Sequence, residues 1–127
     1  MGLVISVEKK QEGVFSIIPV GSIDSETYGE VDKAVKSVLG SQAKAIIFDF
    51  KGLIYITSMG LGTIFRTKAA IEKNGGTLAI INLQPEIKKV FDIVKVIPAY
   101  IFESMQEADE YLDTFLSKMQ RGGKNDA

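Results

Sequence analysis

The sequence feature that most constrains the fold is a short, almost continuous apolar run at residues 45–50, Ala-Ile-Ile-Phe-Asp-Phe. Such a run is typical of a β-strand that is covered on both faces, as in sheets with helices packed above and below. A second run of the same kind, at residues 77–82, follows a segment of helical length. Strands that alternate with helices in this way predict a largely parallel sheet.

The N-terminal part of the chain predicts a β-hairpin followed by a helix. Residues 3–8 and 14–20 are rich in β-branched residues and bracket a polar turn. Apolar residues then recur at helical spacing over residues 31–39. Thr27 and Glu30 can form a capping box before this helix, and Gly40 stands where a C-terminal cap belongs.

Three more helices and a short strand are predicted in the remainder. One helix runs from about residue 59 to residue 74, with Lys68 among its apolar positions and therefore extended toward solvent along its aliphatic stem. Pro85 opens another helix, residues 99–102 form a strand, and a capping box at residues 104–107 opens the last helix.

The element order β-β-α-β-α-β-α-β-α predicts an α/β fold in a single domain. We expect a mixed, mostly parallel sheet of about five strands, with an N-terminal hairpin and about four helices. The domain is expected to span residues 1–121, and the Gly-Gly-Lys-Asn-Asp-Ala stretch at residues 122–127 to form a disordered tail.

The absence of both cysteine and histidine narrows the chemistry. It excludes disulfides, thiolate catalysis, Ser-His-Asp triads and His- or Cys-ligated metals, and any catalysis would have to rest on carboxylates, Lys or Tyr. We expect no metal, no cofactor and no catalytic activity. The net charge of −1 argues against nucleic-acid binding. Without a signal-peptide pattern or a membrane-spanning apolar stretch, the protein is expected to be cytoplasmic, without direct membrane contact.

Three loops at predicted strand ends, residues 21–25, 56–60 and 82–85, are rich in polar or small residues. Sites in parallel sheets gather at the carboxyl ends of the strands, so these loops form the expected functional edge. The middle loop lies within Tyr-Ile-Thr-Ser-Met-Gly-Leu-Gly and places Thr57 and Ser58 before a helix. Asp24, in the first loop, fits either an Asx-turn or a site residue. Asp49, inside the apolar run, is expected to be a hydrogen-bonded structural residue.

Ser58 has three interpretations: a helix cap, a catalytic nucleophile, or a hydroxyl that another protein modifies. No G-x-S-x-G motif surrounds it and no histidine could activate it, which removes the nucleophile. The cap and the modified hydroxyl both remain, because free amides at a helix start satisfy a serine and stabilise a phosphate equally well.

Gly60 and Gly62 do not complete a phosphate-binding motif. No Lys-Ser or Lys-Thr pair follows them, and Phe65 occupies the place of the third glycine in G-x-G-x-x-G. Glycines in the first turn of a helix otherwise allow the close approach of a partner or of a neighbouring strand. Both of these interpretations stay open.

Two segments of the sequence resemble the STAS domain family (sulfate transporter and anti-sigma factor antagonist). Residues 21–24, Gly-Ser-Ile-Asp, are similar to that family's G-x-[LI]-D at the end of its second strand. Residues 49–62, from Asp49 to Gly62, resemble its longer D-[LF]-x-x-[LV]-x-[YF]-[IM]-D-S-x-G-L-G signature at every specified position but one. The resemblance extends over about residues 3–118 and is strongest to the free-standing bacterial anti-sigma factor antagonists.

The resemblance implies that Ser58 is a phosphoacceptor. In the family, an anti-sigma factor that is itself a serine kinase phosphorylates this residue, and a PP2C-type phosphatase reverses the reaction. Unphosphorylated antagonist binds the anti-sigma factor and so releases a sigma factor, whereas phosphorylated antagonist cannot bind. The contact surface implied here comprises the strand-end residues Asp24, Thr57, Ser58, Met59 and Gly60.

The one departure from the signature is Thr57, which stands where the family usually has an aspartate. Thr57 keeps a hydroxyl but loses the charge, and it becomes a second candidate acceptor. An alternative hypothesis is therefore a non-switching STAS scaffold or transporter-associated module in which Ser58 is only a helix cap. A third class, nucleotide binding, lacks a P-loop in this sequence.

Overall fold

The structure is a computed structural model that describes residues 2–94 and 101–125. In these ranges the chain forms, in order, β1 Leu3–Gln11, β2 Val14–Ile23, α1 Tyr28–Gly40, β3 Ala45–Asp49, β4 Leu53–Ile56, α2 Ser58–Lys73, β5 Thr77–Ile81, α3 Pro85–Val94, β6 Ile101–Phe102 and α4 Met105–Asn125. The predicted α/β class, N-terminal hairpin and four helices are confirmed. None of the described helices is long and apolar enough to cross a membrane.

The strands form one six-stranded sheet in the order β1-β2-β3-β5-β6, with β4 also paired to β2. Only the β1–β2 hairpin is antiparallel, and the other described pairs are parallel. The hairpin turns through Gly13, whose φ of 76° lies in the left-handed region that glycine adopts without strain. Of the predicted last strand at residues 99–102, residues 99 and 100 lie outside the described residues.

Strand β4 was not predicted, and it brings the sheet from about five strands to six. β2 is long enough to hold two partners on one side: its first half pairs with β3 and its second half, Gly21 to Ile23, pairs with β4. Gly52 makes the connection, since its carbonyl accepts a hydrogen bond from the Gly21 amide at 3.0 Å. The β4 residues Leu-Ile-Tyr-Ile form a run of only four residues. Such a run is too short for hydrophobic periodicity to identify it as a strand distinct from β3.

Helices cover both faces of the sheet and bury two separate clusters. On one face, α1, α2 and α3 pack against alternate residues of β2, β3 and β5. On the other face, Ala108 and Leu112 of α4 pack against the intervening residues of the same strands, among them Ile47 and Ile81. The continuous apolar runs of β3 and β5 follow from this arrangement, because both of their faces lie in a core.

The predicted ends of α1 are wrong in detail. Thr27 is the N-cap residue, but its side chain makes no capping hydrogen bond and instead donates to the carbonyl of Ser22 at 2.7 Å. Gly40 is the last residue of the helix rather than its cap, and the left-handed residue is Gln42, with φ of 61°. At each end the residues that directly flank the helix make the hydrogen bonds: Thr27 to Ser22 at the start, and the Ser41 and Gln42 amides to the last helical turn at the end.

The later helices follow their predicted patterns more closely. Only 21% of the Lys68 side chain is exposed, and its ammonium group pairs with Glu72 at 2.9 Å. This agrees with the prediction that the aliphatic part of Lys68 lies along the apolar stripe while its charge reaches solvent. In α4, Ser104 accepts a hydrogen bond from the Glu107 amide at 3.3 Å, one arm of the predicted capping box. That helix continues to Asn125, so the tail predicted from residue 122 is helical over its described part.

One buried polar group in the sheet has no obvious structural use. Ser16 of β2 is 1% exposed, and among the described residues its Oγ has no hydrogen-bond partner. A hydroxyl removed from water without a compensating bond destabilises the folded state.

We therefore expect Ser16→Ala to raise the free energy of unfolding by about 1 kcal/mol, because it removes the uncompensated hydroxyl and leaves a volume too small to be a costly cavity. Urea denaturation of the two proteins measures the difference. Ser6→Ala, at an exposed position of β1, is the matched control and should change stability by less than about 0.5 kcal/mol. A loss of stability in Ser16→Ala would show that the hydroxyl is bonded in solution.

Candidate functional site

The candidate site lies where the carboxyl ends of β2 and β4 meet. Ile23, the last residue of β2, is in register with Ile56, the last residue of β4. The Thr57 amide donates to the Ile23 carbonyl at 3.0 Å and extends the pairing by one step. Asp24 and Thr57, 33 positions apart in the chain, therefore lie on neighbouring strand ends, and two of the three predicted loops come together.

Asp24 is half-buried and organises the loop that leads into α1. Its Oδ1 accepts hydrogen bonds from the amide of Glu26 at 2.9 Å and from the amide and hydroxyl of Thr27 at 3.1 and 3.2 Å. The hydrogen bond from the Glu26 amide is the main reason that the pKa of Asp24 lies below its usual range; desolvation opposes it, and the two Thr27 donors add to it. Asp24 is thus an ionised turn residue, as the Asx-turn interpretation expected.

Thr57, and not Ser58, caps helix α2. Thr57 has extended backbone angles, φ −102° and ψ 178°, and its Oγ1 accepts from the Gly60 amide at 3.4 Å. The same hydroxyl donates to the Ile23 carbonyl at 3.5 Å. The interpretation of Ser58 as only a helix cap is therefore wrong, because the residue before it occupies the cap position.

Ser58 is the first residue of α2, and its side chain is exposed. Within the described ranges its hydroxyl makes no hydrogen bond, and the amides of Ser58 and Met59 are likewise not paired. The first turn of the helix carries no acidic residue. Ser58 thus presents an unengaged hydroxyl at the positive end of a helix dipole that no carboxylate of that turn neutralises.

The two glycines of the first turns have different roles. Gly60 is buried against β2: a methyl group there would lie 2.7 Å from the Ile23 carbonyl oxygen and 2.6 Å from a side-chain carbon of Ile56. Gly60 therefore allows a neighbouring strand to approach, and it does not reach the predicted contact surface. Gly62 faces outward, where a methyl group would meet only the flexible end of Arg66, at 3.3 Å.

Three large apolar side chains that are exposed lie within four residues of Ser58 in the sequence. Met59 is 42% exposed, and Tyr55 and Ile54 of β4 are 50% and 60% exposed. The sequence predicted Met59 as a contact residue but missed Ile54 and Tyr55, because β4 itself was missed. The signal was available in the β-branched and aromatic residues that follow Gly52.

The third predicted loop, residues 82–85, belongs to a different part of the edge. Asn82 donates to Oδ1 of Asp49 at 3.1 Å, and Gln84 donates to the Lys51 carbonyl at 2.6 Å. Asp49 is thus the hydrogen-bonded structural residue that was expected. A cavity of about 920 Å³ opens beside this loop, and its lining includes Lys51, Asn82, Gln84, Lys88, Phe102 and Glu103 but not Ser58.

The described residues hold no group of acidic side chains that could bind a metal ion. The chemistry of the site thus rests on the Ser58 hydroxyl, the helix amides and the apolar residues beside them.

These features are those of one family. The model of the STAS domain matches residues 6–108, and the chain belongs to the STAS domain family. Two observations agree with this assignment. The structure has a six-stranded, mostly parallel sheet with an antiparallel hairpin, and the sequence carries the long signature around Ser58.

The similar proteins include several antagonists of anti-sigma factors. An anti-sigma F factor antagonist of Paenibacillus polymyxa is 27% identical over 107 residues, which cover 79% of this chain and 88% of that protein. A solved anti-sigma factor antagonist from Mycobacterium paratuberculosis has a TM-score of 0.74 at 19% identity, covering 87% of this chain and 93% of its own.

The Bacillus cell fate determinant SpoIIAA, an anti-sigma factor antagonist, is similar in two solved forms. The unphosphorylated form has a TM-score of 0.69 at 19% identity, and the phosphorylated form 0.68 at 20%; each covers 87% of this chain and 98% of its own. At such identities the solved structures establish a shared fold.

We expect Gly60→Ala to destabilise the protein and Gly62→Ala not to. The methyl group at position 60 clashes with a backbone carbonyl, so Gly60→Ala should lower the free energy of unfolding by about 1–3 kcal/mol. Gly62→Ala meets only a mobile guanidinium and gains helix propensity, so it should be neutral or stabilising by up to about 1 kcal/mol. Thermal and urea unfolding measure both, and equal losses would show that α2 does not rest on β2 as described.

Replacing each hydroxyl of the site separately tests which one caps the helix. Thr57→Ala should lower the free energy of unfolding by about 1 kcal/mol, because it removes the acceptor for the Gly60 amide. Ser58→Ala, its matched control one residue later, should change stability by less than about 0.5 kcal/mol. If chemical denaturation showed a larger loss of stability for Ser58→Ala than for Thr57→Ala, Ser58 would be the residue that caps the helix.

Proposed function

We propose that this protein is an anti-sigma factor antagonist whose binding to an anti-sigma factor is switched by phosphorylation of Ser58. Unphosphorylated protein binds an anti-sigma factor that is a serine kinase, and this binding releases a sigma factor. A PP2C-type phosphatase returns the phosphorylated form to the binding form. The observation that carries the proposal is the exposed, unengaged hydroxyl of Ser58 at the first residue of α2.

The geometry favours Ser58 over Thr57 as the acceptor. A kinase must reach the acceptor oxygen, and phosphorylation replaces the hydroxyl proton with a phosphoryl group. The Ser58 hydroxyl is exposed and gives up no hydrogen bond within the described structure. The Thr57 hydroxyl is half-buried, donates to Ile23 and accepts from Gly60. Its phosphorylation would remove the proton of the bond to Ile23 and would force a phosphoryl group into this half-buried space.

The same position can carry the phosphate without unfolding. Phosphoserine brings about −1.5 to −2 charges at neutral pH, and the unpaired amides and dipole at a helix start stabilise negative charge. No acidic side chain of the first turn opposes it. Because Thr57 replaces the family's aspartate, the residue next to the phosphate also carries no charge to repel it. That SpoIIAA is solved in both forms agrees with a STAS fold that tolerates the modification.

The surroundings explain how one phosphate prevents binding. Ile54, Tyr55 and Met59 are all within four residues of the acceptor in the sequence and supply exposed apolar surface, which suits the desolvated centre of a protein interface. Placing a doubly charged group in such a centre without a counter-ion costs about 3–5 kcal/mol. That cost corresponds to a loss of affinity of at least about 100-fold, enough to separate a bound from a free state. The protein thus acts by binding and needs no catalytic group of its own.

Intact-mass spectrometry after incubation with ATP and the candidate anti-sigma factor kinase of the same genome tests the proposal. The wild-type protein should gain one phosphate and Ser58→Ala none. Thr57→Ala, which removes the neighbouring hydroxyl, is the control and should still gain one phosphate.

Binding is then measured by calorimetry with the same kinase before and after phosphorylation, and the phosphorylated protein should bind at least about 100-fold more weakly. A phosphate that persists in Ser58→Ala, or equal affinity of the two forms, contradicts the switch.

A further inference from the structure

Arg66 lies on α2 eight residues, or a little over two turns, after Ser58, and its guanidinium points back toward the start of that helix. Its Nη2 donates to the Thr63 hydroxyl at 2.9 Å, and its Nη1 lies 3.3 Å from the position that a methyl group on Gly62 would occupy. The guanidinium is therefore level with residues 62 and 63, one turn from Ser58. This direction is the usual one, because long side chains on a helix lean toward its N-terminus.

The level of the guanidinium matters because residues four apart on a helix are neighbours. Opposite charges at such a separation pair across one turn, and position 62 is four residues after Ser58. Gly62 itself has no side chain, so no atom of that residue's side chain stands between the Ser58 position and Arg66. A doubly charged group on Ser58 would thus find a cation at the distance of one helical turn.

The present partners of Arg66 are weak enough to be exchanged. Nη2 pairs with Asp32 of α1 at 3.1 Å, and the two side chains are 55% and 40% exposed. The guanidinium carbon lies 5.9 Å from the centre of the Tyr28 ring, also on α1. Exposed ion pairs contribute little, whereas a phosphate offers a guanidinium up to two charges and several acceptor oxygens.

We infer that Arg66 is the phosphate-binding residue of phosphorylated Ser58. In the unphosphorylated protein the guanidinium holds α1 through Asp32 and Tyr28, and on phosphorylation it turns to the phosphate and releases both. The modification is thereby transmitted from α2 to the surface of α1. This inference rests on the proposed phosphorylation of Ser58 and adds the residue that binds its product.

The experiment uses full-length protein with phosphoserine incorporated at position 58 during translation, so that it requires no kinase. Phosphorus NMR at about 0.15 M salt follows the second ionisation of the phosphate, near pH 6 in a free phosphoserine. A neighbouring guanidinium favours the dianion and lowers this pKa. Arg66→Gln should therefore raise it by about 0.2–0.7 pH units, the range for one exposed ion pair.

Three further variants separate a specific pair from a general charge effect. Lys36→Gln removes a cation that lines the same groove between α1 and α2, and it should leave the phosphate pKa unchanged. Asp32→Asn removes the competitor for Arg66 and should lower the pKa further. Asp32→Asn should change the phosphate pKa less when Arg66 is already replaced by Gln, because Asp32 affects the phosphate by competing for Arg66.

The Tyr28 ring provides a second readout. Its proton resonances should shift between the serine and phosphoserine forms of the wild-type protein and not between those of Arg66→Gln. The inference is overturned if the phosphate pKa in Arg66→Gln equals that of the wild-type protein. It is also overturned if Arg66→Gln and Lys36→Gln shift this pKa by the same amount, because Arg66 then does not bind the phosphate specifically. The proposed function is decided separately by the kinase and binding measurements, which do not involve Arg66.

Discussion

The site depends on the close approach of helix α2 to the carbonyl of Ile23 at the end of β2. That carbonyl accepts from the Thr57 amide at 3.0 Å and from the Thr57 hydroxyl at 3.5 Å, and the Cα of Gly60 packs against it so tightly that a methyl group would lie 2.7 Å away. Only glycine permits this contact. The contact fixes where the helix begins, and hence makes Thr57 the cap and turns Ser58 outward.

The chemistry of the exposed hydroxyl follows from that placement. A serine that capped the helix would have its oxygen committed to a backbone amide and would be less accessible to a kinase. With the cap supplied by Thr57, the Ser58 hydroxyl makes no hydrogen bond to any described residue, and the amides beside it at the positive end of α2 are likewise unpaired within the described part of the chain. The replacement of an aspartate by Thr57 thus has two consequences. It keeps an acceptor for the Gly60 amide, and it leaves the first turn without a negative charge.

Much of the fold was predictable because its signals are local. The apolar stripes of α1 and α4 and the doubly covered runs of β3 and β5 are periodic patterns, and each reflects which face of an element lies in the core. The errors occur where a contact outside the helix or strand itself decides its ends or its existence. The hydroxyl of Thr27 turns to the Ser22 carbonyl instead of capping α1, and the short strand β4 exists only because the second half of β2 offers it an edge.

The candidate site also has some features that the sequence predicts and others that depend on tertiary contacts. The sequence by itself determined that two hydroxyl residues follow an apolar run and precede a helix, that no histidine or cysteine is available, and that the surrounding pattern is that of the STAS family. Only the tertiary structure decided which hydroxyl is engaged and which glycine is buried. The physical reason is that both depend on the Ile23 carbonyl, 34 residues before Thr57 in the chain, which local sequence patterns cannot place. The pairing of Arg66 with Asp32, also 34 residues apart, is decided by the packing of α1 on α2 for the same reason.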